Sequence, residues 1–263
     1  RLNLKKNKIN LLDVKYKPKK AFEKISSKSN RYIENCFDIA IKLLKSKISN
    51  KFINGPISKK YFLKNKYLGI TEYLAEKTKS KKFAMLIYNK KLSVVPITTH
   101  LPIKFVAKNI IKKKIIDKIQ IIDNFFRQKL KKSPTFGVTG LNPHCENMYG
   151  FDEDLKIVTP SLKYLKNKKI KIKGPFSADT IFMKNNRKKF DIIVGMYHDQ
   201  VLTPIKTLSE YEAINITVGL PFIRISPDHG PNEKMAGKNK SNPLSLIKAI
   251  SFLDKNWLNQ KKV

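Results

Sequence analysis

Short apolar and β-branched runs alternate along this chain with longer stretches of helical periodicity, and that alternation confines it to the α/β class. The strand-like runs fall at residues 83–88, 92–98, 135–138, 191–196 and 213–218. Residues 31–50 place Ile33, Cys36, Phe37, Ala40, Ile41, Leu44 and Ile48 at the spacing of one helical face. A second helical stretch over 103–130 aligns Ile115, Ile116, Ile119, Ile122 and Phe126 in a stripe, with lysines opposite. Further helices are predicted over 155–168 and 243–258, the last opened by Asn242 as N-cap and Pro243 at the first helical position. No internal repeat or long low-complexity linker interrupts the pattern.

At 263 residues and 41% hydrophobic, the chain can bury one large core or the cores of two lobes. No run approaches the roughly 18 uninterrupted apolar residues that would span a bilayer, and the opening residues lack the basic-then-apolar order of a signal peptide. A cytoplasmic protein without a membrane partner is therefore expected. Cys36 and Cys145 are too few and too far apart for a disulfide framework, which agrees with a reducing compartment. The chain opens on Arg1 rather than Met, so it is expected to begin inside a longer protein.

A net charge of +35 raises nucleic acid as a partner, because clustered cations release counterions from a phosphate backbone. The distribution argues against it. Only Arg1, Arg31, Arg127, Arg187 and Arg224 of the 55 basic residues are arginines, and the lysines are scattered rather than gathered into a footprint. The expectation is no nucleic-acid partner, with a basic nucleic-acid-binding protein lacking activity as the alternative from another class. Under either reading the positive field concentrates anionic ligands such as phosphate esters and dinucleotides.

All four histidines fall in turns or at strand ends: His100 in TTHLP, His144 in GLNPH, His198 in MYHDQ and His229 in PDHG. A lone histidine is usually a surface or core residue. Three of these, however, directly follow strand-like runs, where open α/β sheets form their ligand crevice. Imidazole nitrogen suits zinc or a similar divalent ion, and three protein ligands with one open position is a catalytic arrangement.

The segments around these histidines carry a resemblance. GLNPH at 140–144, GPFSADTIF at 174–182, MYHDQVLTPIK at 196–206 and NITVGLPFIRISPDHG at 215–230 resemble the diagnostic segments of the 4-hydroxythreonine-4-phosphate dehydrogenase family of vitamin B6 synthesis. NGPISK at 54–59, GITEYLAE at 69–76 and TTHLP at 98–102 extend the similarity over nearly the whole chain from about Arg31 onward, while the family's glycine-rich opening segment is absent.

The resemblance implies a two-lobed isocitrate/isopropylmalate dehydrogenase-like fold with the active site in the cleft. Residues 1–50 and 200–263 would form parts of a discontinuous NAD-binding lobe, and 51–199 a metal-binding and dimerisation lobe. It implies a homodimer with the site at its interface, a divalent metal (zinc, magnesium or cobalt) on His100, His144 and His198, and NAD or NADP as oxidant. The reaction implied is oxidation of 4-hydroxythreonine 4-phosphate followed by decarboxylation to 3-amino-2-oxopropyl phosphate. Thr71, Lys206, Asn215 and Arg224 match substrate-binding positions. Arg224 is the most informative of these, since a chain this rich in lysine keeps few arginines and a guanidinium is built for bidentate anion contacts.

Asp179 and Asp199 join Lys206 as candidate catalytic residues, the two carboxylates orienting histidines or accepting a proton. The segment at 228–243 is similar to the HG…AGK…NP signature of the wider isocitrate and isopropylmalate dehydrogenase group, which makes His229, Gly230 and Asn242 candidate cofactor contacts. Two departures bear on specificity: Ile70 stands where the family carries a substrate-binding histidine, and Cys145-Glu146 replaces Ala-Gly-Glu after GLNPH. A sister enzyme for a threonate- or erythronate-type phosphate is therefore the alternative within the same fold.

Overall fold

The computed structural model describes residues 4–64, 66–145 and 152–255. Glu146, in one of the departures noted above, lies outside the described residues, as do the last three positions of the helix expected to end at 258. After an extended opening segment the elements run α1 (Asn30–Lys45), β1 (Lys51–Ile53), α2 (Lys59–Phe62), α3 (Ile70–Lys77), β2 (Ala84–Tyr88), β3 (Ser93–Pro96), α4 (Val106–Asn109) and α5 (Lys112–Lys129). Then follow β4 (Thr135–Thr139), α6 (Thr159–Asn167), β5 (Lys171–Phe176), α7 (Ala178–Ile181), α8 (Lys184–Arg187), β6 (Ile192–Gly195), α9 (His198–Ser209), β7 (Ile214–Val218), β8 (Ile223–Pro227) and α10 (Leu244–Lys255).

The strands join one eight-stranded sheet in the order β1-β8-β7-β2-β3-β6-β4-β5. β3, β6, β4 and β5 are mutually parallel, whereas β2 is antiparallel to both β3 and β7. One face packs on α5, α6 and α10 through Ile115, Ile119, Ile122, Leu162, Leu165 and Phe252. The opposite face packs on α7–α9 through Ile181, Phe182, Val201 and Ile205. A third, aromatic cluster of Phe37, Phe62 and Tyr73 ties α1–α3 together, with ring centroids 5.3–5.8 Å apart.

All five expected strands form within a residue or two. The structure adds three. β5 alternates exposed Lys171 and Lys173 with buried Ile172, the way an edge strand carries lysine to discourage further pairing. β1 has only three residues and forms by pairing with β8. The predicted helix over 103–130 is corrected to α5 preceded by a short 3-10 turn and α4, because Ile110 is extended (ψ 103°) and breaks the ladder; its predicted stripe is nonetheless buried at Ile115, Ile119, Ile122 and Phe126. The first helix ends at Lys45, so Ile48 leaves the expected face and is exposed.

Candidate active site

β7 and β8 build the floor. Their sequences, INITV and IRISP, alternate strictly: Ile214, Ile216, Val218, Ile223 and Ile225 enter the apolar core on one face. The other face presents Asn215, Thr217, Arg224 and Ser226, of which Thr217, Arg224 and Ser226 are buried all the same. Alternating strands normally turn their polar side to water. Here that side is covered by α3 and the loop after β1, and it closes a cavity of about 510 Å³ whose wall includes Thr71, His100, His198, Asn215, Arg224 and Asp228.

Arg224 organises the floor. It is 3% exposed, its Nε donates to Asn54 Oδ1 at 2.7 Å and its Nη1 to Thr217 Oγ1 at 2.9 Å. Thr217 in turn lies 3.2 Å from Thr71 Oγ1, which carries the network into α3. Burial, opposed by the charge of Glu72, lowers the guanidinium pKa to about 10, so it remains a cation at neutral pH. Among the described residues it has no salt-bridge partner, and both hydrogen-bond acceptors are neutral. A buried cation without a counter-ion is costly unless a ligand supplies the anion. Asn215, which lines the same cavity, has a buried Oδ1 without a partner among the described residues.

β3, β6 and β4 are adjacent and parallel, so the turns that follow them leave the sheet on the same edge. His100, His198 and His144 sit in those three turns. The structure brings two together: the His100 and His198 rings are 5.3 Å apart between centroids. His144 lies in the short turn Pro143–Cys145, exposed, outside the cavity lined by the other two. No group of three or more His, Cys, Asp or Glu able to hold a metal forms among the described residues of one chain. His100 and His144 have positive φ values of 34° and 56°, conformations uncommon for non-glycine residues and concentrated at functional turns.

The His100–His198 pair fits a divalent cation in its chemistry. Burial first, then the charges of Lys59 and His198, push the His100 pKa down to about 4, which keeps its imidazole neutral and able to donate a lone pair. Lys59 Nζ stands 2.7 Å from His100 Nε2 and takes that lone pair, so a metal ligated there would displace the ammonium. His198 Nδ1 lies 2.6 Å from Asp199 Oδ1, so Asp199 orients that ring.

The remaining expected residues are distributed unevenly. Lys206 on α9 does not line the cavity; its ammonium pairs with Asp228 Oδ2 at 2.6 Å and also bonds the Asp228 carbonyl. Burial raises the Asp228 pKa against the opposing effect of Lys206. Asp179 is exposed on α7 and stands with Asp154 near Cys145, away from the histidine pair. His229 and Gly230 line the cavity, whereas Asn242 lies outside it, exposed, and its Oδ1 accepts from Leu244 N at 2.9 Å, the helix cap expected from the sequence. Ile70 lines the cavity at the start of α3 and is buried in the aromatic cluster.

Asn54, Lys59, Glu72, Gln200, Thr217 and Asp228 do not stand out as site residues in the sequence. For Thr217 a signal exists in the alternation of β7. Gln200 does its work from behind the site: its Oε1 accepts from Thr139 Oγ1 (2.8 Å) and Met196 N (2.7 Å), and its Nε2 donates to Gly140 O (2.8 Å). It thereby clamps the β4 turn that carries His144 to the β6 turn that carries His198. Gln200→Leu should strand a buried N–H, a C=O and a hydroxyl, and urea denaturation should show a loss of about 3 kcal/mol. A loss below about 1 kcal/mol would mean that the two turns hold themselves.

Comparison with known proteins supplies the family. Residues 2–253 match the family described as pyridoxal phosphate biosynthetic protein PdxA. The chain belongs to that family. It is 42% identical to the 4-hydroxythreonine-4-phosphate dehydrogenase of Sulfurihydrogenibium sp. (strain YO3AOP1), over 93% of this chain and 75% of that protein. It is 37% identical to the D-threonate 4-phosphate dehydrogenase of Pectobacterium atrosepticum, over 71% of this chain and 57% of that protein. Among solved structures, the 4-hydroxythreonine-4-phosphate dehydrogenase of Klebsiella pneumoniae superposes with a TM-score of 0.74 at 32% identity, covering 87% of this chain and 71% of that one. The isocitrate dehydrogenase of Methylococcus capsulatus (TM-score 0.51, 11% identity, 82% of this chain and 70% of that one) shares the fold alone. The expected isocitrate dehydrogenase-like α/β architecture is therefore the one this PdxA-family chain adopts. No described helix is long and apolar enough to cross a membrane.

Proposed function

We propose that this chain oxidises 4-hydroxythreonine 4-phosphate with NAD or NADP and that the product loses carbon dioxide to give 3-amino-2-oxopropyl phosphate. The observation that carries the reading is the guanidinium of Arg224, buried and without a salt-bridge partner among the described residues, on the floor of a cavity walled by two neighbouring imidazoles. Such a floor selects an anionic ligand, and Thr71 and Asn215 add a hydroxyl and an amide beside it. His100 and His198 would hold the divalent metal, with His144 contributed by the partner subunit of a homodimer. When bound, that ion lowers the pKa of the substrate hydroxyl and polarises the carbonyl formed from it. A bound nicotinamide would supply the hydride acceptor.

The chain's own residues do the rest. Arg224, held by Asn54 and Thr217, fixes the anionic group without having to reorganise. Asp199 holds His198 in one ring orientation, and the Lys206–Asp228 pair at the rim offers a proton carrier next to the cavity. Asp179, remote from this cavity within one chain, would act on His144 at the interface. A second cavity of about 780 Å³, rich in aromatic side chains, shares the wall 54–58 and Pro231 with the first, and it leaves room for the cofactor beside His229 and Gly230. The lobe division, 51–199 against 1–50 with 200–263, would cross the continuous sheet twice, where β7 meets β2 and where β1 meets β8.

One observation favours a second substrate. Ile70 places an aliphatic side chain in the cavity where a histidine would donate to the ligand, and D-threonate 4-phosphate differs from 4-hydroxythreonine 4-phosphate in the group beside the carboxylate. The test is a panel of phosphorylated hydroxy acids followed by NADH absorbance, run on the parent and on Ile70→His. Turnover of 4-hydroxythreonine 4-phosphate is expected from the parent. The histidine variant should lower its KM about fivefold, corresponding to roughly 1 kcal/mol for a regained charge-assisted contact. Preferential turnover of the threonate ester, with an unchanged KM for the variant, would assign the chain to the second substrate.

A further inference from the structure

The tautomer of His100 follows from its neighbour. Lys59 Nζ, 2.7 Å from Nε2, is an ammonium and can only donate, so Nε2 accepts and the ring proton resides on Nδ1. That Nδ1 is buried and, among the described residues, has no hydrogen-bond partner. Glu72 Oε2 is likewise buried and unpartnered, although Glu72 Oε1 is anchored by Thr99 Oγ1 at 3.0 Å, in the residue next to His100. One lone donor and one lone acceptor therefore border the same gap beside Gly69.

Gly69 keeps that gap open. A Cβ there would lie 2.9 Å from Glu72 Oε2, 3.1 Å from His100 Cε1 and 3.2 Å from His100 Nδ1. Its backbone is extended, with φ −164°, a conformation open to any residue. The absence of a side chain thus serves space rather than conformation.

We propose that Glu72 is the positioning residue for His100, its carboxylate accepting the Nδ1–H directly or through one water and thereby holding the Nε2 lone pair in the direction now taken by Lys59, which a bound metal would displace. The inference rests on the metal reading given above for His100. A carboxylate behind a ligating imidazole fixes the ring and raises its basicity, and removing such a partner commonly weakens metal binding about 10–100-fold. Glu72 also supplies charge opposite Lys59, Lys118 and Arg224, so the test must separate hydrogen-bond acceptance from bulk charge.

Zinc affinity is measured by chelator competition for the parent, Glu72→Ala, Glu72→Gln and Gly69→Ala, with circular dichroism as a check on folding. Glu72→Ala should weaken binding about 10–100-fold. Glu72→Gln, which loses the charge but keeps an accepting oxygen, should lose only about threefold. Gly69→Ala, which keeps the charge but fills the gap, should resemble Glu72→Ala. Equal losses for the alanine and glutamine variants at position 72, with Gly69→Ala unaffected, would overturn the proposal in favour of a counter-charge role. A readout on metal-free protein separates this inference from the metal reading: long-range proton–nitrogen spectra should show His100 as the Nδ1–H tautomer in the parent and as a mixture in Glu72→Ala. A parent that binds no zinc yet shows that shift retains the Glu72 contact and loses only the metal. An Nε2–H tautomer in the parent would overturn the contact itself.

Discussion

Replacing Arg224 with methionine is expected to lower kcat/KM for the phosphorylated substrate about a thousandfold while leaving folding stability within about 1 kcal/mol of the parent. The two halves of that expectation have one cause. Arg224 is buried, its two bonds go to the neutral acceptors Asn54 and Thr217, and among the described residues no carboxylate pairs with it. With no carboxylate paired to it and only the charge of Glu72 to offset its burial, the cation favours the ligand-free fold little, so an apolar side chain of similar length removes a desolvation penalty along with two hydrogen bonds. When an anion fills the cavity the same guanidinium becomes half of a desolvated ion pair, and its absence then weighs fully on binding and turnover. Arg224→Lys keeps the charge but cannot span Asn54 and Thr217 together, and should fall between parent and methionine variant. Steady-state kinetics and urea denaturation on the same preparations decide the point. A large loss of stability with little loss of kcat/KM would recast Arg224 as structural.

The second large effect concerns the histidines. His100→Ala and His198→Ala should each abolish stoichiometric zinc or cobalt binding together with activity, since neutral imidazole is a strong ligand and alanine offers none. His144→Ala should do the same only if the partner subunit delivers that residue, because within one chain it lies exposed and outside the cavity that holds the other two. Mixed dimers resolve this. Combining His144→Ala subunits with His198→Ala subunits leaves one of the two sites in each hybrid with all its native ligands, provided His144 crosses the interface. Random reassociation should then restore about a quarter of parental activity and metal content from two inactive preparations. No recovery, with each variant dimeric, would mean that all ligands come from one chain.

Much of this molecule is legible in the order of its residues alone. The α/β class, the strands β2, β3, β4, β6 and β7 and the buried stripe of α5 follow from local periodicity, because burying a face demands a period of two in a strand and 3.6 in a helix. β5, β1 and α9 are not legible for equally physical reasons. A lysine-bearing edge strand looks like surface, three residues make no pattern, and Pro204 reads as a break although the helix runs through it. That Arg224 is set apart from the other cations is legible from the scarcity of arginine in the chain.

What the sequence by itself determined, then, is which side chains are available at the ends of which elements. The order of the strands decided which of them meet. β6 lies beside β3, which brings His100 and His198 together, while the turn after β4 leaves His144 exposed. Asn54 reaches Arg224 across 170 positions, and Lys59 reaches His100 across 41. Glu72 finds His100 across a gap that exists only because residue 69 has no side chain. Such contacts leave no local signature, since a buried polar group is satisfied by whatever the fold brings beside it and not by its neighbours along the chain.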